Sequence, residues 1–447
     1  MVTRRSLIGT SAAVAATLAL PLHAAAAPAF VRREGTRLLL GGRPYRFAGA
    51  NLWHAAWLGA TAPFGDRARL TRELDMLAAT GVTNLRILAS AEDSPLKNSV
   101  KPAFHGAALD SADPALLDGL DFCLAEMRKR GMKAVIYLTN FWEWSGGMMT
   151  YLYYVTGKYM DVNDPAHPWP AFPNATAQFY ANPKAVALNH AWVRRIVGRT
   201  NAITGTAYRD DPTIMAWQLA NEPRPAGEIA TATPLLPAYY AWIQGTAKLI
   251  KSLDSNHLVS TGSEGLKGSV ESADIYRTAH AFAEIDYLTA HIWPLNWSWV
   301  DAKDIVGTHA AATAKVAEYL QQHQALAKEI GKPLVIEEFG YPRDGGGYDP
   351  QGSTRFKDLY YQQIYDAVLT SARTGGPVVG SNFWAWNGEG RAVHGDHRFK
   401  PGDTAWLGDP PHEPQGWYGV FDSDASTRAV IKAHADALAT VGEAIAT

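Results

Sequence analysis

Cysteine is nearly missing from this sequence. Cys123 is the single one among 447 residues, so no internal disulfide can form, and an oxidising compartment would not be used to staple the fold. It falls within the spacing Leu117, Leu120, Leu124 and reads as a helix core position rather than a nucleophile. Surplus charge is missing as well. The formal net charge of −2 leaves no basic excess and argues against nucleic acid or an anionic membrane surface as partner. There is no internal repeat and no linker that would cut the chain into two domains. Metal-binding signatures are also lacking: no His-x-His on an early strand and no His-Glu-x-x-His. The best metal-like cluster, His394-Gly395-Asp396-His397, stands in a loop rich in glycine and charge, where loop structure or substrate lining explains it better. Neither a metal nor a cofactor is expected.

What the sequence does contain is apolar and aromatic. A hydrophobic content of 47% over this length can bury a large core. The 15 Trp and 19 Tyr exceed what a core requires, and exposed aromatic faces are one way to bind neutral sugars. At the N-terminus, Thr3-Arg4-Arg5-Ser6-Leu7-Ile8 precedes an apolar run and the small residues Ala24 to Ala27. That pattern resembles a twin-arginine signal over residues 1–27. Export to the periplasm or the medium is expected, leaving residues 28–447 as one monomeric catalytic domain with no membrane attachment.

Strand and helix patterns then alternate. Val31 to Phe47 reads as a hairpin, with Arg37–Leu40 and Tyr45–Phe47 joined across Gly41–Pro44. Strands follow at Phe47–Leu52, Val82–Ala89, Lys133–Thr139, Thr213–Leu219, His257–Thr261, Tyr287–His291, around Leu334–Ile336, and at Val378–Trp386. Helical spacing fills the intervals at Asp66–Thr80, Pro114–Arg130, Lys184–Thr204, Leu236–Leu253, Ala310–Ile330 and Thr354–Arg373, with a last helix over Asp424–Ile445. The long aromatic stretch Asn140 to Pro173 reads as a loop. Eight strands in one unbroken alternation predict an α/β fold, a closed (β/α)8 barrel of the TIM type carrying an N-terminal β-hairpin.

In such a barrel chemistry lies at the C-terminal ends of the strands. The polar residues there are Arg86, Asn140, Asn221 with Glu222, Glu264, His291, Glu338 and Trp384. Two of the stretches share a design: Asp211 to Arg224 and Lys332 to Gly340 each run an apolar strand into a carboxylate at its tip. Two carboxyl groups on strands four and seven suit acid/base and nucleophilic work on a glycosidic bond, provided their environments keep the pKa values apart. Arg86 is expected to hold Glu338 ionised, and partial burial away from Arg86 to keep Glu222 protonated. Glu337 is expected on the opposite strand face, outside the chemistry.

These residues carry a resemblance. The sequence resembles glycoside hydrolase family 5 and, within it, the β-mannanase branch. The matching motifs are Asn221-Glu222-Pro223-Arg224 after Asp211 to Trp217, Asn140-Phe141-Trp142 with Gly146-Gly147, His291-Ile292-Trp293-Pro294, Glu338-Phe339-Gly340, and Phe383-Trp384-Ala385-Trp386. The resemblance implies an acid/base at Glu222 and a nucleophile at Glu338. It further implies that Arg86 orients the nucleophile, Asn221 binds the sugar 2-hydroxyl, His291 sits beside the acid/base, Trp384 floors the cleavage subsite and Arg224 contacts sugar on the leaving-group side. Asn140, Trp142 and Trp293 are expected to bind substrate as well. Trp293 departs from the family pattern, which often has tyrosine two residues after the histidine; an indole can donate but not accept a hydrogen bond. The implied activity is a retaining endo-β-1,4-mannanase on mannan, glucomannan or galactomannan. Alternatives are an exo-acting β-mannosidase or mannobiohydrolase, with the loops Trp142–Pro173 and His394–Trp417 walling off one end, a cellulase, and a carbohydrate-binding protein with an inactive site.

Overall fold

A computed structural model describes residues 29–444; the expected signal segment lies outside them. Eight strands form one parallel sheet: β4 (Phe47–Asn51), β5 (Asn84–Leu88), β6 (Lys133–Tyr137), β7 (Ile214–Gln218), β8 (Leu258–Ser260), β9 (Leu288–Ile292), β10 (Leu334–Phe339) and β11 (Val378–Phe383). Their order is β8-β7-β6-β5-β4-β11-β10-β9, and a parallel bridge between Ser260 and Tyr287 closes the ring. Nearly every residue of these strands is buried, which is why they read as continuous apolar runs: one face meets helices and the other the barrel interior.

The N-terminal segment differs from the expected hairpin. The antiparallel pair is β1 (Val31–Glu34) with β2 (Arg37–Leu40), and only Arg43–Pro44, β3, adds to it. Phe47 lies outside this sheet and opens the first barrel strand, as also expected; it shares a buried cluster with Val135, Met215, Leu258, Val335 and Val379 near the starts of the barrel strands. Val31 and Leu38 join that cluster, so the small sheet seals the N-terminal end of the barrel. The opposite end stays open.

Helices follow the expected intervals. Arg67–Ala79 is capped by Asp66, whose side chain accepts from the Arg69 amide, and Pro114–Lys129 begins with proline after the capping Asp113. The helix expected over Lys184–Thr204 is Pro183–Val197; it stops at Gly198, and Asn201 caps a turn beyond it. The helix before β8 starts at Ile229, earlier than Leu236, and carries Pro234 and Pro237 within it. Asn140 to Pro173 is more ordered than a loop, since Gly147–Thr156 is a helix whose buried Met148, Met149, Tyr151 and Leu152 pack against the barrel wall.

Candidate active site

Glu222 lies just beyond β7 with a left-handed backbone, φ 49°, a conformation that costs a non-glycine residue free energy and must be held by its surroundings. Its amide donates to the Gly262 carbonyl at 2.9 Å. Gly262 must be glycine for this approach, because a Cβ there would stand 1.9 Å from the Ala220 oxygen. Tyr239 braces the turn from outside through a 3.1 Å hydrogen bond to the Pro223 carbonyl. Sequence, turn and strain together aim one carboxyl group up the barrel axis.

Glu338 reaches the same point from β10. The register of β10 against β9 runs Ile336 with Ala290 and then Glu338 with His291, so Glu337 is the extra residue of a bulge. This corrects the expectation that alternation turns Glu337 away. It is fully buried, accepts a 2.5 Å hydrogen bond from Gln218 Nε2, and lies 3.6 Å from Arg86 Nε and 3.8 Å from His291 Nε2. The bulge turns two consecutive carboxyl groups inward.

Arg86, fully buried on β5, ties the interior together. Its Nη1 donates to Glu338 and to Asn51 Oδ1 (3.1 Å), its Nη2 to Asn221 Oδ1 (2.7 Å) and its Nε to Gln218 Oε1 (2.8 Å). Four donors on four acceptors is a use that the planar guanidinium fork permits and an ammonium does not. Asn221 in turn donates to Asn140 Oδ1 at 3.1 Å. Asn140 is wholly buried and also bonds Ser145 Oγ and the Trp142 amide, so it positions Asn221 and Trp142 rather than meeting substrate as expected.

His291 Nδ1 is 2.6 Å from Glu222 Oε1 and 3.2 Å from Glu338 Oε2. Burial opposes its protonation, but the charge of Glu338 and the hydrogen bonds to Glu222, Glu337 and Glu338 hold its pKa well above the ordinary histidine value. Glu222 moves the other way. Burial would raise it, yet the hydrogen bond and charge of His291, the charge of Arg224 and the Trp142 indole N–H, 2.6 Å from Oε2, bring it below the ordinary value. Burial therefore does not keep Glu222 protonated as expected; in the free site the proton is held at the imidazole end of the Glu222–His291 pair.

These groups open into a cavity of about 790 Å³ lined by Trp142, Asn221, Glu222, Arg224, Glu264, Trp293, Glu338 and Trp384, among others. Arg224 is ion-paired with Glu264, and its guanidinium stands 5.2 Å from the Trp142 ring. The Glu264 carboxyl is pushed up to about 7 by burial, which outweighs Arg224 and is reinforced by Glu222. Trp293 packs edge-on against Trp384, with centroids 5.9 Å apart, and against Tyr418 at 5.0 Å, and makes no hydrogen bond to Glu338 among the described residues. Residues that the motifs did not single out complete the wall: Glu143, Trp144 and Trp169 from the aromatic loop, Asn296 and Trp297 after β9, and Pro410, His412 and Glu413 from the last loop. Loop residues carry no periodicity, so only their aromatic richness could have pointed to them.

Ligand atoms of Glu222, His291 and Glu338 lie within 4.8 Å of one another and form the one group among the described residues that could hold a metal ion. The raised pKa of His291 works against it, because a metal needs the neutral imidazole. His394 and His397 do not converge: His394 Nε2 pairs with Asp403 at 3.0 Å, and His397 Nδ1 meets the Gln415 carbonyl.

Residues 28–443 match a family described as GH family 5 beta-mannosidase-like. The chain belongs to glycoside hydrolase family 5. Among curated relatives, a putative mannan endo-1,4-beta-mannosidase 9 of Oryza sativa subsp. japonica is 31% identical over 365 residues, 79% of this chain and 81% of that protein. Among solved structures, a family 5 mannosidase from Rhizomucor miehei, in a mutant form in complex with mannosyl-fructose, superposes with a TM-score of 0.85 at 32% identity, covering 94% of this chain and 99% of that one. An endo-1,4-beta-mannanase from the same organism shares the fold at a TM-score of 0.66 and 22% identity, over 92% and 99% of the two chains.

Proposed function

We propose that this family 5 enzyme is a retaining endo-β-1,4-mannanase that cleaves mannan, glucomannan or galactomannan. The observation that carries the mechanism is the spacing of the carboxyl groups. One oxygen of Glu222 and one of Glu338 lie within 4.8 Å of each other, which suits the separation of about 5–5.5 Å used for direct attack by retaining enzymes better than the about 6.5–9.5 Å that inverting enzymes keep for a water. In the first step Glu338 Oε attacks the anomeric carbon as the glycosidic C–O bond breaks, and Glu222 gives its proton to the leaving oxygen. Water then displaces Glu338 while Glu222 takes the water's proton back. Arg86 fixes the nucleophile, and His291, at 2.6 Å from Glu222, supplies the proton that the acid must carry. Asn221, held by Arg86 and Asn140, offers its amide to the 2-hydroxyl.

The mannose preference is supported by the curated relatives named mannan endo-1,4-beta-mannosidases and by the Trp142 and Arg224 wall that surrounds the shared carboxylates. A site that hydrogen-bonds the axial 2-hydroxyl leaves a buried partner unpaired with glucose, at a cost of about 1–3 kcal/mol. At the upper end, ~3 kcal/mol, mannan or glucomannan should be hydrolysed with a kcat/KM about a hundredfold above carboxymethylcellulose, and comparable rates would overturn the substrate assignment.

A second reading, exo-action, is favoured by one feature. Pro410, His412 and Glu413 reach the cavity wall, where the His412 ring stacks on Trp144 at 6.5 Å and 17°, as a blocked cleft end would require. Early products from mannohexaose separate the two: mixed oligomers with a fast drop in mannan viscosity mean endo-cleavage, a single small product exo-cleavage. Export through the N-terminal segment, with the mature enzyme working as a monomer free of nucleic acid and membrane, completes the proposal.

A further inference from the structure

Among the large apolar side chains left exposed in the described residues are Trp169, at 62% exposure, and Ile229, at 53%. Both line the rim of the catalytic cavity. The Trp169 ring lies 6.4 Å from that of Trp142 at an interplanar angle of 28°, and Trp142 in turn touches Glu222 through its indole nitrogen. The Arg224 guanidinium lies 5.2 Å from Trp142 and 5.8 Å from Trp169. Trp169 is therefore the outer member of a layered aromatic wall whose inner member contacts the acid/base.

The wall is fastened at its base. Pro170 and Pro173 pack against Gly227, where an added Cβ would stand 2.6 Å from the Pro170 side chain and 2.7 Å from that of Pro173. The Gly227 amide donates to Asn174 at 3.0 Å. The loop carrying Trp169 is thus joined to the loop that leaves the acid/base, and the large ring is presented to solvent at little further ordering cost. Trp297 also lines the cavity, its indole donating to Glu264 at 3.2 Å and the Lys267 ammonium lying 5.6 Å from its ring.

From this geometry we infer that Trp169 is a sugar platform on the leaving-group side, taking a β-linked sugar beyond the one that meets Trp142. The acid/base protonates the leaving oxygen, so a wall that extends from Glu222 outward follows the departing part of the substrate. An aromatic face over the C–H face of a neutral pyranose needs no charge on the ligand, and Arg224, occupied by Glu264, has its cation shared between the two rings. The inference rests on the proposed β-mannosidic activity and holds for endo- and exo-cleavage alike, since both release a sugar chain on this side.

The test compares the wild-type enzyme with Trp169→Ala and Trp169→Phe on manno-oligosaccharides from mannobiose to mannohexaose and on 4-nitrophenyl β-mannoside. For substrates with two or more sugars beyond the cleaved bond, Trp169→Ala should lower kcat/KM about tenfold, mainly through KM, while the nitrophenyl substrate changes less than about twofold and Trp169→Phe keeps most of the wild-type value. Loss of a partly exposed ring should leave the thermal transition in place. An unchanged chain-length profile in Trp169→Ala, or an equal loss on the nitrophenyl substrate, overturns the platform. A wild-type enzyme that hydrolyses none of these β-mannosides overturns the functional reading instead.

Discussion

Replacing Arg86 by lysine keeps the positive charge and removes the fork. The guanidinium serves Glu338, Asn51, Asn221 and Gln218, which are contributed by the ends of β4, β7 and β10. A lysine ammonium is a single point with three donors and cannot reach acceptors spread around a planar group, so at least two of the four bonds are lost. Bonds involving a charged group contribute about 1.5–3 kcal/mol each, and the site is fully buried, so solvent screening does not dilute the loss. Two of them amount to about 3–6 kcal/mol, or roughly 10²–10⁴ in rate if the loss is felt in the transition state. It should be felt there, because the group released is the nucleophile. Arg86→Lys is therefore expected to lower kcat on an aryl β-mannoside by at least about a hundredfold with little change in KM, and to fold with a thermal transition lowered by the lost bonds but above that of a variant without the charge. Arg86→Met separates charge from geometry: it leaves Glu337 and Glu338 facing each other with His291 alone, and about 3–5 kcal/mol of stability should go with it. A kcat for Arg86→Lys within tenfold of the wild type would refute the idea that the fork aims Glu338.

Two further outcomes follow from the site. Azide should restore turnover to Glu338→Ala with an α-mannosyl azide as product, whereas Glu222→Ala should still be glycosylated by substrates with good leaving groups and give the β-azide; an α-azide from Glu222→Ala would reverse the two roles. Glu143 supplies a pH test: burial pushes its carboxyl up to about 7 from an ordinary 4.5, so the folded protein binds that proton more tightly than the unfolded chain. The associated stability is fully present below about pH 4.5 and is lost as the pH rises through 7. Glu143→Gln should therefore match the wild-type stability at pH 4 and exceed it at pH 8 by up to about 3 kcal/mol; a variant less stable than the wild type at pH 8 would show that burial of the carboxylate is not the cost it is taken to be.

How much of this was legible beforehand depends on what each feature is made of. Barrel strands and their helices could be read because apolar runs and helical spacing are local, and Asn221-Glu222 at a strand tip followed from the run before it. The hairpin of Arg37–Leu40 across Gly41–Gly42 was legible from its glycines, and the Tyr45 amide still donates to the Leu38 carbonyl; what was not legible is that Val31–Glu34 pairs on the other side of Arg37–Leu40 and that Phe47 serves the barrel strand alone. The inward turn of Glu337 was hidden because a bulge is a relation between two strands: nothing within Leu334 to Phe339 records that β9 is one residue short. The low pKa of Glu222 was hidden for a similar reason, since it depends on His291 being 2.6 Å away rather than on burial alone. Trp169 and Glu413 sit in loops, where neither period nor capping gives a sign.

The bulge in β10 also sets the sign of the field in the barrel. With Glu337 turned inward beside Glu222 and Glu338, three carboxyl groups share the interior with two basic side chains, Arg86 and His291. Negative charge is in excess where the sugar ring must pass through an oxocarbenium-like, positively charged state, and in a buried site that excess acts at low dielectric. Between Glu222 and Glu338 the same excess favours protonated iminosugars, which carry their charge where the transition state does.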